Sequence, residues 1–131
     1  MKTASALYSN AAAMGIALVL YACLTASGFA QVTHPAVSIG ANDLGGTVTS
    51  AHGPEAGVWV IAETTDLPTK FAKIVVTDDF GRYVMPELPQ ADYSVWVRGY
   101  GLVDSPKVQS SPGKILNLNA VIAPNAAAAA E

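Results

Sequence analysis

Two histidines are the residues of this chain best suited to catalysis or metal binding. His34 lies in a segment, 31–43, that has a proline, a glycine and polar residues without sustained periodicity, and His52 begins a His-Gly-Pro turn. A metal triad or a histidine-activated nucleophile would require one of these imidazoles to approach a distant ligand or serine. The sequence contains no GxSxG elbow, no HExxH motif and no phosphate-cradling glycine loop. We therefore expect solvated loop histidines, no cofactor and no catalytic activity, with a stand-alone enzyme as an alternative.

Adjacent acids at Asp78 and Asp79 precede Phe80 and Gly81. An aspartate can accept hydrogen bonds from the backbone of its own turn, and glycine adopts positive φ at low cost. Paired carboxylates can also bind calcium, but the spacing of an EF-hand loop is absent. The motif predicts a tight turn, and we expect no metal site.

The two tryptophans are candidates for a binding function. Each lies in a run typical of a strand, VWVIAET at 58–64 and YSVWVR at 93–98. Successive side chains of a strand face opposite sides, so the smaller branched residues of each run are expected in the core and the tryptophans outside. The candidate binding or docking face comprises Trp59, Ile61, Trp96 and Arg98.

Two functions from different classes fit an aromatic sheet face. Tryptophans form a flat apolar surface with one polar group, suited to packing against a following domain or a partner protein. The same surface can stack on the sugar rings of a polysaccharide if polar groups converge beside it, and Glu63, Ser94 and Arg98 are the polar candidates on that side. We expect a spacer or docking module, with a carbohydrate-binding module as the alternative.

Seven short runs of strand type carry these residues. They recur about every ten residues between Gly, Pro and Asp turns, which is typical of an antiparallel β-sandwich. In the last run leucines alternate with asparagines, as in a strand with one solvated face. The predicted strands are 44–50, 58–64, 71–77, 82–85, 93–98, 107–109 and 115–122.

Length and charge limit the possibilities. The 131 residues suffice for one domain, and 51% hydrophobic with 13% charged residues is typical of a folding chain. The net charge of −3 comes with scattered lysines and arginines, so no basic stripe predicts nucleic-acid binding.

The N-terminal 30 residues predict a helical signal peptide. Lys2 precedes an apolar stretch at 11–26, and Gly28 and Ala30 are small residues that suit cleavage after Ala30. Cleavage would leave no membrane span and an exported, periplasmic or extracellular protein without its only cysteine. In the alternative, Cys23 ends a lipobox-like sequence and anchors a lipoprotein. The remaining segments are an extended leader at 31–43, the domain at 44–122 and an alanine-rich linker or tail at 123–131. A linker there would make the chain the N-terminal part of a larger protein.

Four motifs in this order resemble the carboxypeptidase regulatory-like domain family: GTVT at 46–49, PEAGVWV at 54–60, TDDFGRY at 77–83 and LPQADY at 88–93. The resemblance covers 44–122 and implies a seven-stranded, transthyretin-like sandwich that belongs to the carbohydrate-binding-like folds. Ala91 departs from the pattern, because the family usually has glycine before the tyrosine. In carboxypeptidases this domain accompanies the catalytic domain and holds none of its zinc ligands, so the resemblance implies no peptidase activity.

Overall fold

The computed structural model describes residues 33–130, and the expected signal segment lies outside them. The described chain is all-β, without an α-helix, and ends in a 3-10 turn at Ala128–Ala130. Its strands are β1 (Leu44–Ser50), β2 (Gly53–Pro54), β3 (Trp59–Thr64), β4 (Phe71–Val76), β5 (Arg82–Met85), β6 (Tyr93–Arg98), β7 (Leu102–Val103), β8 (Val108–Ser110), β9 (Lys114–Ile115), β10 (Leu118–Asn119) and β11 (Val121–Ile122).

Two main sheets form a sandwich. The four-stranded sheet has the antiparallel order β4-β3-β6-β8. The five-stranded sheet is built around β1, which pairs with β2, β5, β9 and β10. A small third sheet joins β7 to β11.

The predicted all-β sandwich is confirmed, with differences in detail. β1, β5 and β6 match the predicted bounds, and three further strands differ by one residue at one or both ends. The two-residue strands β2 and β7 were not predicted. The predicted strand at 115–122 is divided into separate short strands, and both β9 and β10 pair parallel to β1, against the antiparallel expectation.

The division of the last strand follows from close contact with Gly46. A Cβ atom there would lie only 2.1 Å from the Leu116 carbonyl oxygen, so only glycine admits this approach. Asn117 is beside it and accepts hydrogen bonds from the Thr47 amide and hydroxyl, each at 3.1 Å. The chain is therefore held across β1 by a side chain where a regular ladder would use backbone groups.

The core lies between the two main sheets. The predicted inward residues of β6 are fully buried, and in the second run Val58, Val60 and Ala62 are buried as predicted. Residues of β1 and β5 complete the core from the other sheet. The buried Tyr83 hydroxyl donates a 2.6 Å hydrogen bond to the Leu116 carbonyl, and burial raises the pKa of this phenol above its ordinary value.

The described segments before and after the sandwich contain no strand. In residues 33–43, the Gly40 amide is bonded to the Asp43 carboxylate at 2.8 Å. In the tail, the Ala123 amide donates to the Gly101 carbonyl, and the Asn125 side chain accepts from the Ala128 amide. The described part of the tail therefore contacts the sandwich.

Candidate functional site

The register of β3 and β6 places the four predicted site residues on one surface. Trp59 is directly opposite Arg98, and Ile61 is directly opposite Trp96. Directly paired residues of an antiparallel ladder project to the same side, and the core residues alternate with these four. We call this side of the four-stranded sheet, away from the core, the outer face.

Three side chains form an exposed apolar strip on the outer face. Trp59 is 49% exposed, and its partner on β4 is Val76, which is 56% exposed. Ile74 follows on the same face at 53%. We call Trp59, Ile74 and Val76 the apolar strip.

The prediction that both tryptophan rings form an open platform is wrong for Trp96. Trp96 is only 9% exposed and Ile61 only 6%, although neither belongs to the core cluster between the sheets. The Lys107 ammonium lies 4.3 Å from the centroid of the Trp96 ring and bonds to the Glu63 carboxylate at 2.7 Å. Neighbouring side chains thus cover Trp96 from the solvent side.

The sequence interpretation missed Ile74 and Val76. Alternation in FAKIVV at 71–76 puts Ile74 and Val76 on one side, but that side is apolar throughout and the other contains Lys73, so the pattern does not indicate that Ile74 and Val76 are exposed. Which strand lies beside Trp59 is a question of register, and the alternation of a single strand carries no information about register.

Arg98 forms a charged margin beside Trp59. Its guanidinium binds the Asp104 carboxylate with two hydrogen bonds, 2.7 Å from Nε to Oδ1 and 2.5 Å from Nη2 to Oδ2. The hydrogen bond from Arg98 lowers the pKa of the Asp104 carboxyl below its ordinary value. Both groups therefore remain ionised near neutral pH.

A polar hollow of about 470 Å³ lies at the other end of the outer face. Ser94 and Gln109 lie side by side there, and the Gln109 amide donates to the Ser94 hydroxyl at 2.7 Å. The remaining lining residues are Glu63, Thr64, Thr65, Asp66, Lys70 and Asp92. Two of the predicted polar candidates, Glu63 and Ser94, are thus brought together, whereas Arg98 lies beside Trp59.

The Asp78 carboxylate is engaged within its own turn. Its Oδ1 accepts the amides of Phe80 and Arg82 at 2.9 and 2.8 Å, and its Oδ2 accepts the Arg82 guanidinium at 2.7 Å. Gly81 has φ of 73°. Partial desolvation opposes ionisation, but these hydrogen bonds outweigh it and lower the pKa of Asp78. Within residues 33–130 no group of three His, Cys, Asp or Glu side chains is placed to hold a metal ion.

The two histidines lie in different environments. The His34 ring stacks on Phe80 with centroids 3.7 Å apart. His52 donates its backbone amide to the Ser50 hydroxyl, which in turn bonds to Glu55. Serine, histidine and glutamate thus occur in one turn, but it is the peptide group of His52 that contacts the serine.

No helix among the described residues is long and apolar enough to cross a bilayer.

No family model and no curated protein sequence matches this chain. A crystal structure of catechol 1,2-dioxygenase from Pseudomonas arvilla C-1 is similar to it, with a TM-score of 0.48 and 14% sequence identity. The match covers 77% of this chain and 57% of the dioxygenase chain, so this chain spans little more than half of that length. A similarity at this level assigns no activity.

Proposed function

We propose that this chain is an exported, non-catalytic β-sandwich module that docks another protein surface through the apolar strip. The observation that carries the proposal is the adjacency of Trp59, Ile74 and Val76 on the outer face, each about half exposed. An aromatic ring grouped with two β-branched side chains on the surface of a sheet is typical of a protein interaction site.

Burial of the apolar strip would supply the affinity. Covering a large apolar side chain is worth about 1.5–3 kcal/mol when the side chain passes from full exposure to full burial. The three members begin about half exposed, so each contributes a part of that value. Tryptophan is enriched among the residues that dominate interface energies.

Charged pairs beside the strip favour a protein as the occupant. The Arg98–Asp104 pair adjoins Trp59, and the Lys107–Glu63 pair covers Trp96. An apolar centre with a polar margin is the usual anatomy of a protein interface. We infer a partner with a complementary apolar patch, either a following domain of the same polypeptide or a separate exported protein.

The resemblance to carboxypeptidase regulatory-like domains supports a non-catalytic role. The arrangement of His34 and His52 supports it as well, because His34 stacks on a phenylalanine and His52 contacts Ser50 through its amide. Export is supported by the apolar stretch at 11–26 and the small residues before position 31.

A carbohydrate-binding function is the second candidate, because the polar hollow adjoins the strand that carries Trp96. Its hydroxyl, amide and carboxylate groups are those that recognise sugar hydroxyls. The cover over Trp96 favours protein docking, since a sugar ring needs an open aromatic face on which to stack.

A photo-crosslinking experiment tests the docking function. A benzoylphenylalanine is placed at Val76, and for comparison at Ile115, which is equally apolar and 53% exposed but lies on the other main sheet. We expect one defined partner at position 76 that is not captured at position 115. That partner, once purified, should lose at least about tenfold in affinity for Ile74→Asp and retain its affinity for Ile115→Asp. Equal capture at both positions, or equal affinity of the two variants, would contradict the proposal.

A further inference from the structure

Residues 34–39, which we call the strap, have no secondary structure and lie against the β1–β5 pair on the side of that pair away from the core. Most strap residues are exposed, and only Val37 and Ile39 are half-buried. The β1–β5 pair belongs to the five-stranded sheet, whereas the apolar strip belongs to the four-stranded sheet, and Val76 of the strip borders one of the hollows beside the strap.

The two half-buried residues, Val37 and Ile39, pack against Gly45. Gly45 follows the core residue Leu44 in β1 and therefore presents its other side to the strap. A Cβ atom at Gly45 would lie 2.7 Å from Ile39 Cγ2 and 3.0 Å from Val37 Cγ1. The lack of a side chain at Gly45 is what allows these two side chains to approach the strand.

Phe80 and Arg82 hold the other end of the strap. Arg82 Nη1 donates a 3.1 Å hydrogen bond to the carbonyl of Pro35, and the His34 ring stacks on Phe80. The guanidinium of Arg82 lies 5.1 Å from the centroid of the same phenyl ring. Asp78 fixes this guanidinium through Nε, so the donor is preorganised for a backbone carbonyl.

The strap is held by few contacts. Within residues 33–130 the hydrogen bond from Arg82 is the one that the strap backbone makes, and no ladder bond joins it to β1 or β5. Hollows of about 380 and 330 Å³ adjoin it, the first lined by Val37 and Ser38 together with Val84, the second by Ala36 together with Thr47. The surface around the strap therefore has room for side chains larger than those of the strap.

We propose that Gly45, Phe80 and Arg82 form a binding site for an extended peptide, and that the strap is its resident, displaceable ligand. The chemistry of the site defines the peptide. The peptide carries an aromatic ring that stacks on Phe80 and a proline whose carbonyl accepts a hydrogen bond from Arg82. It also carries two β-branched residues, two positions apart, that pack on Gly45. Proline restricts the free peptide and so reduces the entropy lost on binding.

Attachment to the same chain gives the strap an advantage over a free peptide. A tethered ligand has an effective concentration in the millimolar range, so a free segment of equal chemistry competes only when the strap is weakened or the segment binds more tightly. The site thus discriminates against weak competitors and accepts a segment that also fills the adjoining hollows.

A peptide-binding experiment tests the proposal on the full chain. The probe is a fluorescently labelled synthetic peptide with the sequence of residues 31–41, and binding is measured by anisotropy. We expect the strap variant Val37→Asp/Ile39→Asp to bind the probe at least about tenfold more tightly than the parent, because its own strap no longer competes. A probe carrying the same two aspartates should not bind.

A matched pair of aromatic substitutions locates the binding. Phe80→Ala in the strap variant should weaken probe binding at least about fivefold, and Tyr100→Ala, at a fully exposed tyrosine on the loop before β7, should not change it. A folded strap variant that binds the probe no better than the parent overturns the proposal, as do equal effects of the two alanine substitutions. If the strap variant does not fold, the ¹⁵N-labelled parent is titrated with millimolar unlabelled probe. Displacement then shifts the amide signals of Val37 and Ile39, and unchanged signals overturn the proposal.

Discussion

Ile61 and Trp96 lie directly opposite each other on β3 and β6, and both are buried although they project away from the core. Their burial comes from other side chains of the same face, with Lys107 over the Trp96 ring and Ile74 paired with Ile61. The outer face therefore has a covered part, Ile61 and Trp96, and an exposed part, the apolar strip. Function is expected to depend on the strip, and stability on the covered pair.

The two tryptophans should differ in their effect on stability. Trp96→Ala removes a ring that is almost completely covered, and we expect a loss of about 3 kcal/mol in the free energy of unfolding. Trp59→Ala removes a half-exposed ring and should cost about 1 kcal/mol or less. Urea unfolding followed by circular dichroism measures both. Equal losses would show that the two rings are buried to the same extent in solution.

The close approach at Gly46 predicts a large effect of a single methyl group. In Gly46→Ala the new Cβ would overlap the Leu116 carbonyl, so β1 and the following parallel strands must separate, and we expect a cost of about 2–3 kcal/mol. Asn117→Ala loses the hydrogen bonds to Thr47 but introduces no overlap, and should cost about 1 kcal/mol. Thermal unfolding of the two variants compares them, and a Gly46→Ala protein as stable as Asn117→Ala would contradict this packing.

The sequence predicted the core well because each strand reports its own two sides. The alternation around Val60 and Val95 separated the core from the outer face correctly. The exposure of Trp96 was predicted wrongly because it depends on Lys107, which lies in another segment. Alternation gives the side on which a residue lies, whereas exposure depends on which neighbours the register brings beside it.

Very short elements were beyond prediction for a different reason. β2 and β7 have two residues each, too few for any periodicity. The parallel pairing of β9 and β10 depends on the contact of Leu116 with Gly46, which joins positions 70 residues apart in the chain. No local pattern contains such a contact.

The Asp78 turn predicts a pH dependence of stability. The pKa of Asp78 is lowered in the folded chain, so the folded state binds this proton less readily than the unfolded state does. The stabilisation is then present above the unfolded pKa of about 4 and is lost as the pH falls through the folded value. We expect Asp78→Asn to flatten the acid limb of a plot of unfolding free energy against pH. Asp79→Asn is the control, because none of the hydrogen bonds of this turn in the described chain involves the Asp79 carboxylate, and an equal change in both variants would refute the assignment.

Sequencing of the exported protein tests the N-terminal prediction. We expect Gln31 as the first residue, because Gly28 and Ala30 provide the small side chains that cleavage requires. Mass spectrometry of the intact protein provides an independent measurement. A blocked N-terminus at Cys23 with the mass of attached lipid would instead establish the lipoprotein alternative.

Affinity electrophoresis in gels that contain a neutral or an acidic polysaccharide distinguishes protein docking from sugar binding. If docking through the apolar strip is the function, the mobility of the chain is the same with and without polysaccharide, and its tryptophan fluorescence does not respond to soluble sugars. The two candidate surfaces can be altered separately, by Gln109→Ala in the polar hollow and by Ile74→Asp in the apolar strip. Retardation of the parent that is lost in Gln109→Ala but kept in Ile74→Asp would assign the function to the hollow, because a sugar held there depends on hydroxyl and amide groups. That result would replace the docking proposal with carbohydrate binding.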